Sequence, residues 1–198
     1  MSPLVESIKL KDGVVYNLNY HQERLNRSMK ELFSMAHAID LAKELSVIQV
    51  SDLGIYKIRV VYGPTIEKIE VQPYTYRIVK SLKVVYHNDI DYHLKYTDRR
   101  VLNVLYSQKE NCDDIIIVKN ELVTDSFSSN LLFFDGKKWL TSDSPLLMGT
   151  QRQYLLDNGL ISESRIAAKD LASFQKVGLI NAMIDFDVMP VVPLERIF

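Results

Sequence analysis

Residues 113–156 constrain the fold most, because their apolar runs are too short for helices and are separated by tight polar turns. The predicted strands are residues 115–118, 122–124, 130–134 and 137–141. Asp135-Gly136 lies between the last two strands and is typical of a β-hairpin. The region is therefore expected to form a meander of short strands that ends where a helix begins.

A polar cluster interrupts this meander. Residues 124–130, TDSFSSN, bring a carboxylate, several hydroxyls and an amide into a strand-rich region. Further on, Gly149 leads into an amphipathic helix whose first turn carries Thr150, Gln151 and Arg152. Because a helix N-terminus favours anions, the two features together predict a two-ended site for a phosphorylated ligand with a basic ring. Taken alone, each is also explained by ordinary turn and cap chemistry.

The rest of the chain alternates between strand and helix periods. The predicted strands outside the central region are residues 4–10, 14–17, 55–62, 66–72, 81–87, 164–167, 177–183 and 188–192. The predicted helices are residues 20–35, 40–51, 101–109 and 169–173, besides the one after Gly149. We expect an α/β (α+β) protein with a small N-terminal domain over residues 1–80 and a larger one over 81–198. An interdomain loop is expected around residues 88–97.

Two basic residues outside the central region are further candidates. Lys95 lies in the interdomain loop between Leu94 and Tyr96, and apolar surroundings can make a lysine amine a nucleophile for carbonyls. Arg24 lies beside the apolar stripe of the first predicted helix, near its N-terminal end. On local evidence alone, a solvated lysine and a surface arginine are the favoured explanations of these two residues.

Composition excludes several classes of protein. With 24 basic and 25 acidic residues the net charge is −1, which gives no electrostatic footprint for nucleic acid. No apolar run approaches the roughly 20 residues that a membrane helix needs, so no membrane partner is expected. Cys112 is the one cysteine, and the strand-like, charged N-terminus does not resemble a signal peptide, so a cytoplasmic protein is expected. The single cysteine and the histidines show no metal-ligand spacing, and no metal is expected.

Five segments, in the right order, resemble the class IV (fold type IV) family of pyridoxal-phosphate enzymes. They are LVESIKLKDGVVYNLNYHQERLNRS, LKYTDRRVLN, LVTDSFSSNLLFF, PLLMGTQRQYLL and LINAMIDFDVMPVV. The family includes D-amino-acid and branched-chain aminotransferases and 4-amino-4-deoxychorismate lyase. The resemblance implies a two-domain fold with pyridoxal 5'-phosphate in the interdomain cleft, a small amine substrate and a homodimer.

The resemblance also implies roles for individual residues. Lys95 matches the lysine that binds the cofactor covalently and transfers protons, and Asp125 matches the acid that pairs with the ring nitrogen. Arg24 matches the arginine that binds the phosphate. The remaining matches are Leu147 on the ring face, Gly149, Thr150 and Gln151 at the phosphate-binding helix start, and the Asn181-Ala182 backbone near the phosphate.

This chain departs from the family pattern in three places. The acid at position 125 is aspartate, which is one methylene shorter than the usual glutamate. The strand pair that precedes the first hairpin in the family has no counterpart here, and the last strand is expected to be about two residues longer.

The motif sequences are most similar to those of 4-amino-4-deoxychorismate lyase, which releases pyruvate to give 4-aminobenzoate for folate biosynthesis. A small aminotransferase acting on a branched-chain or D-amino acid is the first alternative. A pyridoxal-phosphate-binding protein with degenerate activity is the second.

Overall fold

The computed structural model describes residues 2–35, 39–50 and 53–198, and these form two compact units. The first unit comprises the described residues up to Tyr76 together with Leu94–Asp98, and the second comprises Arg77–His93 and Arg99–Phe198. Within the described residues, no helix combines the length and hydropathy that a membrane crossing requires.

The described residues of the first unit form an antiparallel sheet and two helices. Its strands are β1 (Leu4–Lys11), β2 (Val14–Val15), β3 (Ile55–Tyr62) and β4 (Ile66–Pro73), in the order β2-β1-β3-β4. Its helices are α1 (Leu18–Phe33) and α2 (Leu41–Leu45). The predicted helix over residues 40–51 is therefore shorter than expected, and its last residue, Ser51, lies outside the described residues.

Strand alternation decides which face of this sheet meets α1. Leu4, Ile8 and Leu10 of β1 are buried and pack with Leu25 and Met29 of α1 in one core. Because side chains along a strand alternate between faces, every second residue of β1 points toward the helix. Glu6 falls in that register, so a charged residue is carried into the apolar face.

The second unit contains two sheets and two helices. A three-stranded sheet has the order β5-β6-β7, from β5 (Leu82–Tyr86), β6 (Asp114–Lys119) and β7 (Leu122–Val123). A five-stranded sheet has the order β10-β9-β8-β11-β12, from β8 (Asn130–Phe134), β9 (Trp139–Ser142), β10 (Ser162–Ser164), β11 (Lys176–Ile180) and β12 (Val191–Pro193). The helices are α3 (Arg100–Ser107) and α4 (Thr150–Asp157), with short 3-10 turns at Ala168–Ser173, Phe186–Val188 and Leu194–Arg196.

The predicted single meander over residues 115–141 is wrong, although each of its strands exists. The first two strands belong to the three-stranded sheet, where β6 pairs in parallel with β5, and the last two belong to the five-stranded sheet. The chain changes sheet in residues 125–130. Residues of both sheets, among them Val118 and Phe133, share one apolar core. Short apolar strands satisfy either sheet equally well, so their periodicity does not specify the partner.

Two late strands lie a few residues from where they were expected. The strand predicted at residues 164–167 is β10 at Ser162–Ser164, and the one predicted at residues 188–192 is β12 at Val191–Pro193. Both are three residues long, and such short segments carry little periodic signal.

Candidate functional site

Arg24 is buried in the first unit and bound by a glutamate of the neighbouring strand. Its Nε donates to Glu6 Oε1 at 2.9 Å and its Nη2 donates to Glu6 Oε2 at 2.5 Å. The side chain of Glu6 is fully buried and that of Arg24 is 8% exposed. The surface-residue interpretation of Arg24 is therefore wrong, because its side chain is buried and paired with a buried carboxylate.

His21 completes this cluster on the same face of α1. Its Nδ1 lies 2.6 Å from Glu6 Oε2, and both side chains are fully buried. Burial raises the pKa of Glu6, but the Arg24 charge and the hydrogen bonds from His21 and Arg24 outweigh it and bring the pKa to about 2. Burial lowers the pKa of His21 against the pull of Glu6. An ionised Glu6 accepts only, so a neutral His21 donates through Nδ1–H.

Tyr62 of β3 adds a fourth polar group beside Glu6, Arg24 and His21. Burial raises the pKa of its hydroxyl, and the Glu6 carboxylate raises it further. Tyr62 is 1% exposed, so the phenol stays protonated over the physiological range. The cluster thus carries one carboxylate, one guanidinium and two neutral groups away from bulk water.

Lys95 lies in a short segment that pairs with the start of β1. The amide of Val5 donates to Lys95 O at 2.9 Å, and Tyr96 N donates to Leu94 O at 2.9 Å, which makes Lys95 the centre of a three-residue turn. Leu94 is buried and packs with Tyr96 against the core of the first unit. Lys95 itself is half-buried, and its charge is close enough to contribute to the lowered pKa of His21.

Asp125 is buried at the point where the chain passes between the two sheets of the second unit. Its Oδ1 accepts from Asn130 Nδ2 at 2.8 Å, and its Oδ2 accepts from Leu147 N at 2.9 Å. Asn130 Nδ2 also donates to Leu147 O at 2.9 Å. The three residues therefore interlock, and the direction of the Asp125 carboxylate is fixed by donors from two separate segments.

Gly149 precedes α4 and lies against the same asparagine. A Cβ at this position would collide with Asn130 Oδ1, so the close approach of the Asn130 amide requires glycine. Gly149 has an extended conformation and is the N-cap of α4, with no side chain capping the helix. Thr150 and Gln151, which open the helix, are both buried. A helix start of this kind directs N–H groups and the positive end of the dipole toward an anion.

Arg152, in the first turn of α4, has a structural task. It is 1% exposed, and its Nη2 donates to Ser142 O at 2.9 Å and to Glu163 Oε1 at 2.5 Å. Ser142 and Glu163 belong to β9 and β10. Arg152 thus anchors the helix to the five-stranded sheet.

Asn181 follows β11 and reaches the loop that carries Asp125. Its Nδ2 donates to Ser129 Oγ at 3.2 Å, and its Oδ1 accepts from Met183 N at 2.9 Å. Its side chain therefore joins the end of β11 to that loop, and the Asn181-Ala182 backbone forms a turn closed by a bridge to Ile184.

The structure thus brings the predicted residues together within each unit. Arg24 and Lys95 lie around His21 in the first unit, whereas Asp125, Leu147, Gly149 and Asn181 converge through Asn130 and Ser129 in the second. Glu6 and Asn130, which hydrogen-bond Arg24 and Asp125, were not predicted as site residues. Glu6 had a signal in the sequence, since it is the charged residue on the apolar face of β1. For Asn130 the sequence offered only its position in the polar cluster, because its contact with Gly149 joins residues that are distant in the chain.

In residues 2–35, 39–50 and 53–198, no three His, Cys, Asp or Glu side chains lie together as a metal site requires. Of the four histidines, His37 lies outside these residues.

Comparison with known proteins agrees with the motifs. The family model described as amino-transferase class IV matches residues 3–194. A solved structure from Haemophilus somnus 129pt, named as a candidate 4-amino-4-deoxychorismate lyase, is 34% identical, with a TM-score of 0.82 over 92% of this chain and 97% of that chain. An uncharacterized protein of Haemophilus influenzae is 38% identical over 186 residues, which are 92% of this chain and 98% of that protein.

More distant structures share the fold. A candidate amino-acid aminotransferase from Mesorhizobium loti is 18% identical, with a TM-score of 0.80 over 100% of both chains. A hypothetical aminotransferase from Mycobacterium tuberculosis in its PLP-bound form is also 18% identical, with a TM-score of 0.78 over 96% of this chain and 80% of that chain. The chain therefore belongs to the class IV aminotransferase family of pyridoxal-phosphate-dependent enzymes and has their fold type IV architecture.

Proposed function

We propose that this protein is a pyridoxal-phosphate-dependent lyase that releases pyruvate from 4-amino-4-deoxychorismate and leaves 4-aminobenzoate. The observation that carries this proposal is the likeness, at 34% identity and nearly full length, to the Haemophilus somnus structure that bears the name of that activity. The resemblance of the motif sequences to those of the lyase supports the same function. Membership of the family alone is compatible with amino transfer as well.

The residues present fit the cofactor. A phosphate dianion needs a cation and several N–H donors, and the resemblance assigns these roles to Arg24 and to the Gly149–Gln151 helix start. Gly149 has no Cβ, which lets the Asn130 amide lie against the residue that precedes the helix. A protonated ring nitrogen needs a carboxylate, and Asp125 is buried and already oriented by two donors. A carboxylate offers about four lone-pair sites, so these donors do not exhaust its capacity.

When bound, pyridoxal phosphate supplies an electron-withdrawing ring that accepts the electron pair left by removal of the substrate's α-proton. Lys95 would hold the cofactor through Nζ and would take and return a proton at that atom. Asp125 would hold the proton on the ring nitrogen. Leu147 would pack on the ring, while Arg24, Thr150, Gln151 and the Asn181-Ala182 backbone would bind the phosphate.

The shorter acid is compatible with this assignment. Aspartate at position 125 places its carboxylate one methylene closer to the backbone than glutamate does. Donation from Leu147 N and Asn130 Nδ2 keeps that short side chain in one direction, which reduces the entropy lost when it pairs with a ligand.

Pyruvate release is the direct test. The holoenzyme is mixed with 4-amino-4-deoxychorismate without any keto acid, and pyruvate is followed by coupled reduction while 4-aminobenzoate is followed by fluorescence. Equal yields of both products are expected, with none from the Lys95→Ala variant. Borohydride reduction of the holoenzyme should fix the cofactor on the peptide containing Lys95.

Two other outcomes would replace the proposal. If pyruvate is not released but a D- or branched-chain amino acid passes its amino group to 2-oxoglutarate, the protein is an aminotransferase. If the cofactor is fixed at Lys95 and neither reaction occurs, the protein binds pyridoxal phosphate without turnover. Fixation at Lys80 or Lys83 instead would refute the assignment of Lys95.

A further inference from the structure

Phe127, in the loop that carries Asp125, is held on its ring and on its backbone. Its ring stacks on Tyr106 with centroids 4.3 Å apart, and the guanidinium carbon of Arg99 lies 4.3 Å from its centroid. Arg99 Nη2 also donates to Phe127 O at 2.6 Å, and Phe127 N donates to Asp114 Oδ1 at 3.3 Å. We call Arg99, Tyr106, Asp114 and Phe127 the Phe127 clamp.

The partners of Phe127 belong to regular elements of the second unit. Arg99 is the N-cap residue of α3, Tyr106 lies in its last turn, and Asp114 begins β6. Asp114 is fully buried and forms an ion pair with Arg77. Arg77 Nη1 donates to Tyr106 Oη at 2.9 Å, and Tyr106 Oη donates to Asp113 O at 3.2 Å. The clamp therefore fastens the loop to a helix and to a buried strand.

The loop between Asp125 and Asn130 needs this fastening because its two ends belong to different sheets. Inside the loop, Ser126 N donates to Ser129 O at 2.8 Å, and Ser126 Oγ accepts from Ser129 N at 3.0 Å. At the two ends of the turn, Ile117 N of β6 donates to Asp125 O at 2.9 Å and Asn130 begins β8. Phe127, two residues after Asp125 and three before Asn130, adds a contact with α3 and β6 in the middle of the turn.

We propose that Arg99 and Phe127 are positioning residues for Asp125, acting by fixing the loop from which its carboxylate and its partner Asn130 project. Neither residue touches the reacting atoms in this scheme. The inference rests on the proposed function only for the consequence, namely that a misdirected Asp125 pairs less well with a ring nitrogen. The positioning itself is a property of the protein without cofactor.

The test uses the apoprotein, five variants and Asp125→Asn as the reference. Arg99→Ala and Phe127→Ala remove the clamp, whereas Arg99→Lys keeps the charge and Phe127→Tyr keeps the ring. Arg196→Ala is the matched control, because this substitution removes another arginine–aromatic pair of the same unit. The guanidinium carbon of Arg196 lies 5.9 Å from the ring centroid of Phe198. The first measurement is amide hydrogen exchange at Leu147, whose N–H donates to Asp125 Oδ2. The second is the ratio of dissociation constants for pyridoxal phosphate and for its 1-deaza analogue, in which a CH group replaces the ring nitrogen.

Both alanine variants should speed exchange at Leu147 by about tenfold, as loss of a charged hydrogen bond predicts, while exchange at Leu179 in β11 stays unchanged. They should also lower the preference for pyridoxal phosphate over the deaza analogue by about tenfold, toward that of Asp125→Asn. Phe127→Tyr should behave as the wild type, Arg99→Lys should lie between, and Arg196→Ala should change neither quantity.

Unchanged exchange at Leu147 in the alanine variants would overturn the positioning role, whatever the cofactor does. Equal acceleration at Leu147 and Leu179 would also overturn it, because that result indicates a general loss of stability. If the wild type binds both rings equally, the role proposed for Asp125 fails, and the exchange data still decide whether the clamp orients its carboxylate.

Discussion

Replacing Glu6 with glutamine tests whether the buried charge cluster of the first unit holds the phosphate-binding candidate Arg24 in place. The substitution keeps the size of the side chain and removes one negative charge from a fully buried position. Arg24, at 7% exposure, then faces a single amide oxygen in place of two carboxylate oxygens.

The structure sets the size of the effect. Lowering the carboxyl pKa from its ordinary value of 4.5 to about 2 corresponds to about 3 kcal/mol of folding free energy at neutral pH. Removing one partner of a buried ion pair costs about 3–5 kcal/mol, because the remaining charge stays buried and unpaired. The glutamine oxygen still accepts one hydrogen bond, so we expect a loss of about 3 kcal/mol.

The assay must report on the first unit. The chain's one tryptophan, Trp139, lies in the second unit, so its fluorescence follows the wrong part of the molecule. Amide exchange at Leu25 and Met29, which are fully buried in α1, gives the local free energy of opening. Glu6→Gln should lower that free energy by about 3 kcal/mol. Glu70→Gln is the control, because Glu70 pairs with Arg59 on the same sheet but its side chain is 39% exposed.

A pH series separates the charge from the packing. The folded pKa of Glu6 is depressed, so its contribution is complete above about pH 4.5 and is lost as the pH falls toward about 2. The lowered pKa of His21 acts in the same direction, with its contribution lost as the pH falls below 6.5. Glu6→Gln should lack the loss between pH 4.5 and 2. The reasoning is refuted if the variant keeps the wild-type stability at pH 7 and the same acid profile.

Three further substitutions address the cofactor-binding residues. Gly149→Ala should lower the free energy of unfolding of the second unit by about 2–4 kcal/mol, because the added Cβ displaces Asn130 from Asp125 and Leu147. Urea unfolding followed by Trp139 fluorescence measures this change, and a change within error would show that the loop adapts freely. Asp125→Asn should lower turnover by orders of magnitude while phosphate binding persists, and full activity would make Asp125 a turn residue only. Arg24→Ala should weaken retention of pyridoxal phosphate by about 1.5–3 kcal/mol in equilibrium dialysis, and unchanged retention would remove it from the phosphate site.

Local sequence was sufficient for most of the elements. The first hairpin, α1, the β3–β4 pair, α3 and the start of α4 lie close to their predicted bounds, because each has a strong period or a clear turn residue at its end. The assignment of β6–β7 and β8–β9 to different sheets was not predictable. It depends on β5, which is distant in sequence and pairs with β6 in parallel.

The sequence by itself determined the family, since ordered motifs survive as local patterns of residues. It also nominated Arg24, Lys95 and Asp125, although each had an ordinary explanation when taken alone. Only the tertiary structure decided how these residues are held: Arg24 by Glu6, and Asp125 by Asn130 and Leu147. Hydrogen bonds between residues far apart in the chain leave no periodic trace, and a buried charge becomes recognisable only when the fold supplies its partner.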